Sequence, residues 1–461
     1  MGSDPQYAKY PLLPIAQHIF TITNPSAPKA TQETSLKSLQ DAITEHKMAP
    51  LYRYLAHPQE GILNEAGVTS SSTTSSVAGR KPSAAGLVAS KNSIPKVDLP
   101  WDEALYQKLT KENDEELEGF KKEEEEAAEK AGETEVQAAR GKRAEFWARV
   151  GDKVFEKTGV LGTKIDLVLA IIRMGLFYGD KLLVKKHVDR AKALVESGGD
   201  WDRRNRLKAY TGLYLLTVRS YNIAAPLLLD SLSTFTSYEL CSYSSLVVYS
   251  VLAGSVSLKR VDFKSKVVDA PEIKAILGDG EDKTSSIVRS HLRWSCKPHH
   301  PWHRCRCPEA EAALDFSPLA QLVSSLYTGS YRSFFGALAA VEVSFLTQDR
   351  YLYEHRGWFV REMRLRAYQQ LLQSYRVVGL ESMANDFGVS VDFLDRDLAK
   401  FIAADRIPCT IDRVTGKGII ETNRPDDKNK QYNDVVKQGD QLITKLQKYG
   451  QAVRLRGSER A

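Results

Sequence analysis

Long apolar runs are missing from this 461-residue chain. No stretch of 18 apolar residues occurs, so no transmembrane helix is expected. The first residues carry no basic-then-apolar leader, so no signal peptide is expected either. Cysteine is scarce: Cys241, Cys296, Cys305, Cys307 and Cys409 are all there is. A small, odd and mostly clustered set does not make a disulfide framework; it fits a reducing compartment, the cytoplasm or nucleus. No CxxC pair exists, and neither does G-x-G-x-x-G, GxxxxGK[ST], HExxH or G-x-S-x-G. Dinucleotide binding, P-loop phosphate binding, zinc proteolysis and the serine-hydrolase elbow therefore lack their fingerprints. Acidic residues are plentiful, but as helix surface, and no two mark themselves as acid and base. No catalytic residue, cofactor or metal is expected, and the chain reads as a non-enzyme. The net charge of +6 is spread out and implies no nucleic-acid partner.

What is there is organised around residues 364–423. Residues 364–375 place Leu365, Tyr368, Leu371, Leu372 and Tyr375 at helical spacing. A second short helix carries Leu380, Met383, Ala384 and Phe387 on one face and stops at Gly388. Ser390 caps a third, striped by Val391, Leu394, Leu398, Phe401 and Ile402. The period then switches from 3.6 to 2. Ile407, Cys409 and Ile411 alternate with other residues, and a turn containing Gly416 and Gly418 leads to Ile419, Ile420 and Thr422. Three helices and a hairpin make a winged helix. Such a fold suggests DNA, and charge tests it. The third helix carries Asp392, Asp395, Arg396, Asp397 and Lys400, three acids against two bases, where a groove-reading helix must neutralise phosphates. A surface presented to other proteins is the better reading.

In chain order, residues 1–66 read as a small helical cap and 67–100 as a flexible Ser-rich linker. A helix restarts at Trp101, and its acidic stretch 112–129 reads as a solvated face with Glu/Lys pairs rather than a docking strip. Residues 101–278 read as helix after helix. Gly175 and Gly212, 37 residues apart, occupy matching places, near the tetratricopeptide period. Small residues there let the two helices of a pair approach closely, which implies a right-handed α-solenoid. One pair looks defective, with only residues 152–157 left for its second helix. Residues 279–318 form an irregular Cys/His-rich insert. Its density of Cys and His suggests zinc, but Cys305 and Cys307 are separated by a single residue, against the usual two to four. Helices resume at 319 and lead into the winged helix. The last helix, 434–453, aligns Val435, Val436, Gly439, Leu442, Ile443, Leu446 and Tyr449 in a coiled-coil-like seam. The seam either takes a partner helix or folds back on its own domain.

Residues 356–423 resemble the end of a PCI domain, a helical-repeat stack closed by a winged helix. More narrowly, VREMRLRAYQQLLQSYR (360–376), residues 380–426, GGDWDRRNRLKAYTGLY (198–214), LLDSLSTFTSYEL (228–240) and residues 47–52 are similar to the subunit-seven family of the proteasome regulatory-particle lid. The resemblance implies a mostly α protein: TPR-like pairs over 101–278, a PCI end over 319–426 and a bundle helix over 427–461. It implies a non-catalytic scaffold in ubiquitin-dependent degradation. Its expected partners are other PCI subunits of the lid, the lid deubiquitinase module and the ATPase ring, with no nucleic acid or membrane. The wing strands (Ile407, Cys409, Ile411, Ile419, Ile420, Thr422) would augment a neighbour's sheet. Val435, Leu442, Ile443, Leu446 and Tyr449 would join a helical bundle. The signalosome and translation initiation factor three share the fold and stand as alternatives; a winged-helix nucleic-acid binder is the rival from another class.

Overall fold

The computed structural model describes residues 10–58, 63, 99–130, 133–150, 161–198, 200–278, 315–413, 418–422 and 427–458. They divide into two compact units, Met1–Met363 and Arg364–Ala461.

The first unit begins with α1 (Leu13–Thr23), α2 (Lys29–Glu45) and α3 (Ala49–Ala56). Helix α1 is apolar on nearly every side, and Leu13, Ile15, Ala16, Ile19, Phe20 and Ile22 are all buried. It packs on α2 and on α6 further along the chain. Both ends of the stretch 64–98 are held by one turn of α3. The Leu63 N–H donates to the Leu55 carbonyl at 3.2 Å. The Tyr52 hydroxyl donates to the Pro100 carbonyl at 2.6 Å and accepts from the Asp102 N–H at 2.8 Å, with Trp101 stacked on its ring. The linker expected over 67–100 lies outside the described residues except for its last two. Loop closure costs only about 0.6 kcal/mol per doubling of length. On the sequence reading of that stretch as a flexible linker, replacing residues 65–97 with a short Gly/Ser linker is expected to leave the melting midpoint within about 2 °C, as read by differential scanning fluorimetry.

Helices α4 (Glu103–Lys130) and α5 (Glu133–Val150) pack as an antiparallel hairpin. The acidic stretch faces basic residues across that hairpin: Glu124 meets Arg140 and Arg143, Glu123 meets Lys142, and Glu116 meets Arg149. The pairing is between helices rather than the i,i+4 kind expected. Exposed pairs of this type contribute at most about 1 kcal/mol each. The shortened partner helix expected at 152–157 lies outside the described residues.

Consecutive helices then pair off: α6 (Leu161–Tyr178) with α7 (Lys181–Gly198), and α8 (Trp201–Thr217) with α9 (Tyr221–Ser231). Helix α10 (Tyr243–Ser257) follows, then α11 (Arg260–Phe263), whose chain runs on as a wider π-turn over Lys264–Val268. Helix α12 (Pro271–Leu277) packs against α13 (Ser317–Thr328), which pairs with α14 (Tyr331–Val341). Residues 279–314 of the Cys/His-rich insert lie outside the described residues, and the helices that flank it touch directly. No helix among the described residues is long and apolar enough to cross a membrane.

The glycines of the pairs stand at close approaches, as their spacing suggested. A Cβ on Gly175 would lie 2.6 Å from Val184 Cγ2, and one on Gly212 would lie 2.6 Å from Leu228 Cδ2 and 2.7 Å from Leu228 Cγ. Gly254, not picked out in the sequence, repeats the arrangement 2.9 Å from Val267 Cγ2. Alanine gains about 1 kcal/mol of helix propensity over glycine, but overpacking a tight core costs about 1–3 kcal/mol. Gly212→Ala is thus expected to destabilise the chain. Gly119→Ala and Gly141→Ala, in open space on α4 and α5, are expected to stabilise it by about 0.5–1 kcal/mol. Urea midpoints of the three variants check the opposite signs.

The boundary of the second unit falls within α15 (Arg356–Leu372). Beyond it come β1 (Val377–Gly379), α16 (Leu380–Phe387), α17 (Val391–Ala403), β2 (Cys409–Asp412), β3 (Ile419–Thr422) and α18 (Asp427–Ser458). Gly388 ends α16 with φ of 66°, which glycine adopts without strain. The Ser390 hydroxyl accepts from the Phe393 N–H at 3.3 Å, the expected cap. Tyr368 sits edge-on to Phe387 and Phe401 in the core, with Met383, Leu394 and Leu398 also buried. Three expectations shift. Helix α15 ends at Leu372, so Tyr375 is exposed rather than part of the stripe. Val391 begins α17 at its exposed N-terminus. The wing is a three-stranded antiparallel sheet in the order β1-β3-β2.

Candidate protein-interaction surfaces

The sheet order decides which wing residues reach a neighbour. Strand β3 lies in the middle, pairing Ile420 with Val378 on one side and with Ile411 on the other. Its backbone groups are used on both sides, so Ile419, Ile420 and Thr422 cannot add a strand from another chain. This corrects the expectation that both hairpin strands offer edges. Among the described residues the outer strands of the sheet are β1 and β2, and an unpaired strand edge is a pairing template. Ile407, Cys409 and Ile420 are also corrected as side-chain contacts, because all three are buried in the domain's own core. Ile411, on the edge strand β2, is partly exposed. Strand β1 escaped the sequence analysis because three residues are too short to show a period; the β-branched pair Val377–Val378 before Gly379 was its only signal.

Electrostatics on α17 differ from its composition. The Asp397 carboxylate is buried, accepting from Tyr368 Oη at 3.2 Å and lying 3.4 Å from Arg364. Asp395 pairs with Arg413, the residue just after β2. The exposed charges of the helix are Asp392, Arg396 and Lys400, so the simple repulsion argument is weakened. Two cations and one acid still make no phosphate-neutralising stripe.

Helix α18 carries the largest apolar display. Leu442 is 61% exposed, Leu446 62% and Tyr449 73%, with Val435, Val436 and Ile443 also exposed on the helix. No described residue of their own unit covers them. Of the two readings the seam allowed, folding back on its own domain is the one the structure does not adopt. An isolated apolar stripe on a long helix takes a partner.

The residues that could suggest chemistry are placed in packing. His355 is buried, and its Nε2–H donates to the Thr217 carbonyl at 2.9 Å; burial lowers its pKa. Burial pushes the Cys241 thiol well up, the reverse of an activated nucleophile, although part of the residue reaches solvent. Cys409 is buried and its thiol is raised as well.

Helix pairs leading to a winged helix define a PCI-domain protein, and the model of the PCI domain matches residues 341–424. Residues 102–266 match the model described as 26S proteasome subunit RPN7, and residues 431–453 match the RPN7/PSMD6 C-terminal helix. The chain is 38% identical to the 26S proteasome regulatory subunit rpn7 of Schizosaccharomyces pombe, covering 97% of both chains. It is 37% identical to the RPN7 subunit of Saccharomyces cerevisiae, over 99% of this chain and 96% of that one. It is 35% identical to the non-ATPase regulatory subunit 6 homolog of Arabidopsis thaliana, over 99% and 100%. The chain belongs to the RPN7/PSMD6 family of 26S proteasome regulatory subunits.

Proposed function

We propose that this chain is a non-catalytic scaffold subunit of the lid of the 26S proteasome regulatory particle, supporting lid assembly and so ubiquitin-dependent protein degradation. The observation that carries the reading is the uncovered apolar stripe of α18, which coincides with the segment matching the family's C-terminal helix. The stripe docks with terminal helices of other lid subunits. The β1 and β2 edges take strands from flanking PCI subunits. The lid deubiquitinase module and the ATPase ring are further partners, reached through the first unit. The chain works in the cytoplasm and nucleus, without nucleic acid, membrane or cofactor. The proteasomal names of the relatives favour this reading over the signalosome and initiation factor three. Co-expression with the remaining lid subunits, followed by native mass spectrometry, tests it. One copy per assembled lid is expected; a lid that forms completely without the chain would contradict it.

A further inference from the structure

In a stack of helical pairs, each pair touches only its neighbours and stability is close to a nearest-neighbour sum, so ends open before middles. The first unit departs from that pattern at one segment, residues 347–358. Arg350 donates its guanidinium to the carbonyls of Leu176 and Phe177, the latter at 2.8 Å, in the last turn of α6. Glu354 pairs with Lys181 of α7 at 2.6 Å. His355 takes the Thr217 carbonyl at the end of α8, and Trp358 lies against the ring of Tyr221 in α9. Asp349 accepts from the Tyr249 hydroxyl of α10.

The carbonyls of a helix's last turn have no partner within the helix. Arg350 and His355 supply partners to two such ends, each in a different pair and more than 130 residues away in sequence.

The same segment holds the N-terminal helix. Gln17 donates from Nε2 to the Gln348 carbonyl at 2.7 Å and accepts at Oε1 from the Arg350 N–H at 3.2 Å. Asn24 Nδ2 donates to the Thr347 carbonyl at 2.8 Å, and Phe20 stands edge-on to Tyr353.

We propose that residues 347–358 are an intrachain strap that makes α1 and the helices from α6 to α10 open as one unit, so that this part of the first unit behaves as a stiff body rather than a spring. The strap is also synthesised after everything it fastens. The pairs stay separately openable until its last residues are made.

Native-state hydrogen exchange on the full chain, followed by mass spectrometry across urea concentrations below the unfolding midpoint, tests this. Peptides from α1, α6, α8 and α10 are expected to merge onto one opening with one urea dependence. Graded openings in chain order would overturn the strap. Arg350→Met is expected to speed exchange in α6, α8 and α10 together by about tenfold or more. Gln17→Leu, which keeps α1 apolar, provides the milder variant. Faster exchange in α8, which Gln17 does not bond, supports the strap; an effect confined to α1 overturns it. The urea series on the unaltered chain stands even where a variant fails to fold.

Discussion

The double substitution Leu442→Asp and Leu446→Asp is expected to give a chain as soluble and as heat-stable as the parent that no longer enters a multi-subunit particle. Both side chains are exposed on α18, so changing them opens no buried core of their own unit. The melting midpoint should stay within about 2 °C, since surface substitutions of this kind stay within about 0.5 kcal/mol. Against a partner helix the account differs. Burying a leucine contributes about 1.5–3 kcal/mol, so two losses exceed about 3 kcal/mol before the cost of burying two carboxylates. At 1.4 kcal/mol per decade, association should weaken by about 100-fold or more. Deleting residues 434–461 should act the same way. Co-fractionation with partner subunits on a sizing column reads the effect. A fall in the midpoint would mean the stripe is covered within the chain, and normal incorporation would mean it is not a docking face.

Glu239→Ala is expected to destabilise the first unit by about 3 kcal/mol. Glu239 accepts from Arg206 Nη1 and from the Tyr210 hydroxyl, both at 2.9 Å, and stands 3.9 Å from Arg173. Arg173 and Arg206 are buried, and Tyr210 is fully enclosed, its pKa driven up by burial. Removing the carboxylate leaves two buried guanidinium groups short of an anion, which costs about 3–5 kcal/mol for a broken buried pair. The lower end applies here, because Arg206 keeps Asp202 at 3.0 Å and Arg173 keeps the Tyr210 hydroxyl at 2.7 Å. A urea titration should show the midpoint fall with little change in slope. A shift worth under about 1 kcal/mol would show that the network is solvated in practice.

The winged helix was legible because each part signals locally. Gly388 and Ser390 mark a helix stop and a cap one residue apart, and the period changes after Ile402. The close approach of paired helices was legible in Gly175 and Gly212, where there is no room for a side chain. The stripe of α18 was visible from spacing alone, but whether anything covered it was not, because burial depends on chain far away. The wing fooled the reading for the same reason. Chain order sets β2 before β3, yet β3 is the central strand, so alternation along Ile419–Thr422 marked a core strand rather than a free edge. The acids of α17 looked like surface because Arg364 and Arg413, which pair with Asp397 and Asp395, are distant in sequence. Residues 347–358 carry no period at all. Their role comes only from bonds to helix ends, such as His355 to Thr217, that no local pattern announces.

The central claim, that the chain is a lid scaffold, is tested most directly by purifying the tagged full chain from its source cells and identifying what accompanies it by mass spectrometry. The account predicts the other lid subunits and the ATPase ring in near-stoichiometric amounts, lost together when Leu442 and Leu446 are made aspartate. Recovery of signalosome or initiation-factor subunits instead, or of the chain alone, would contradict it.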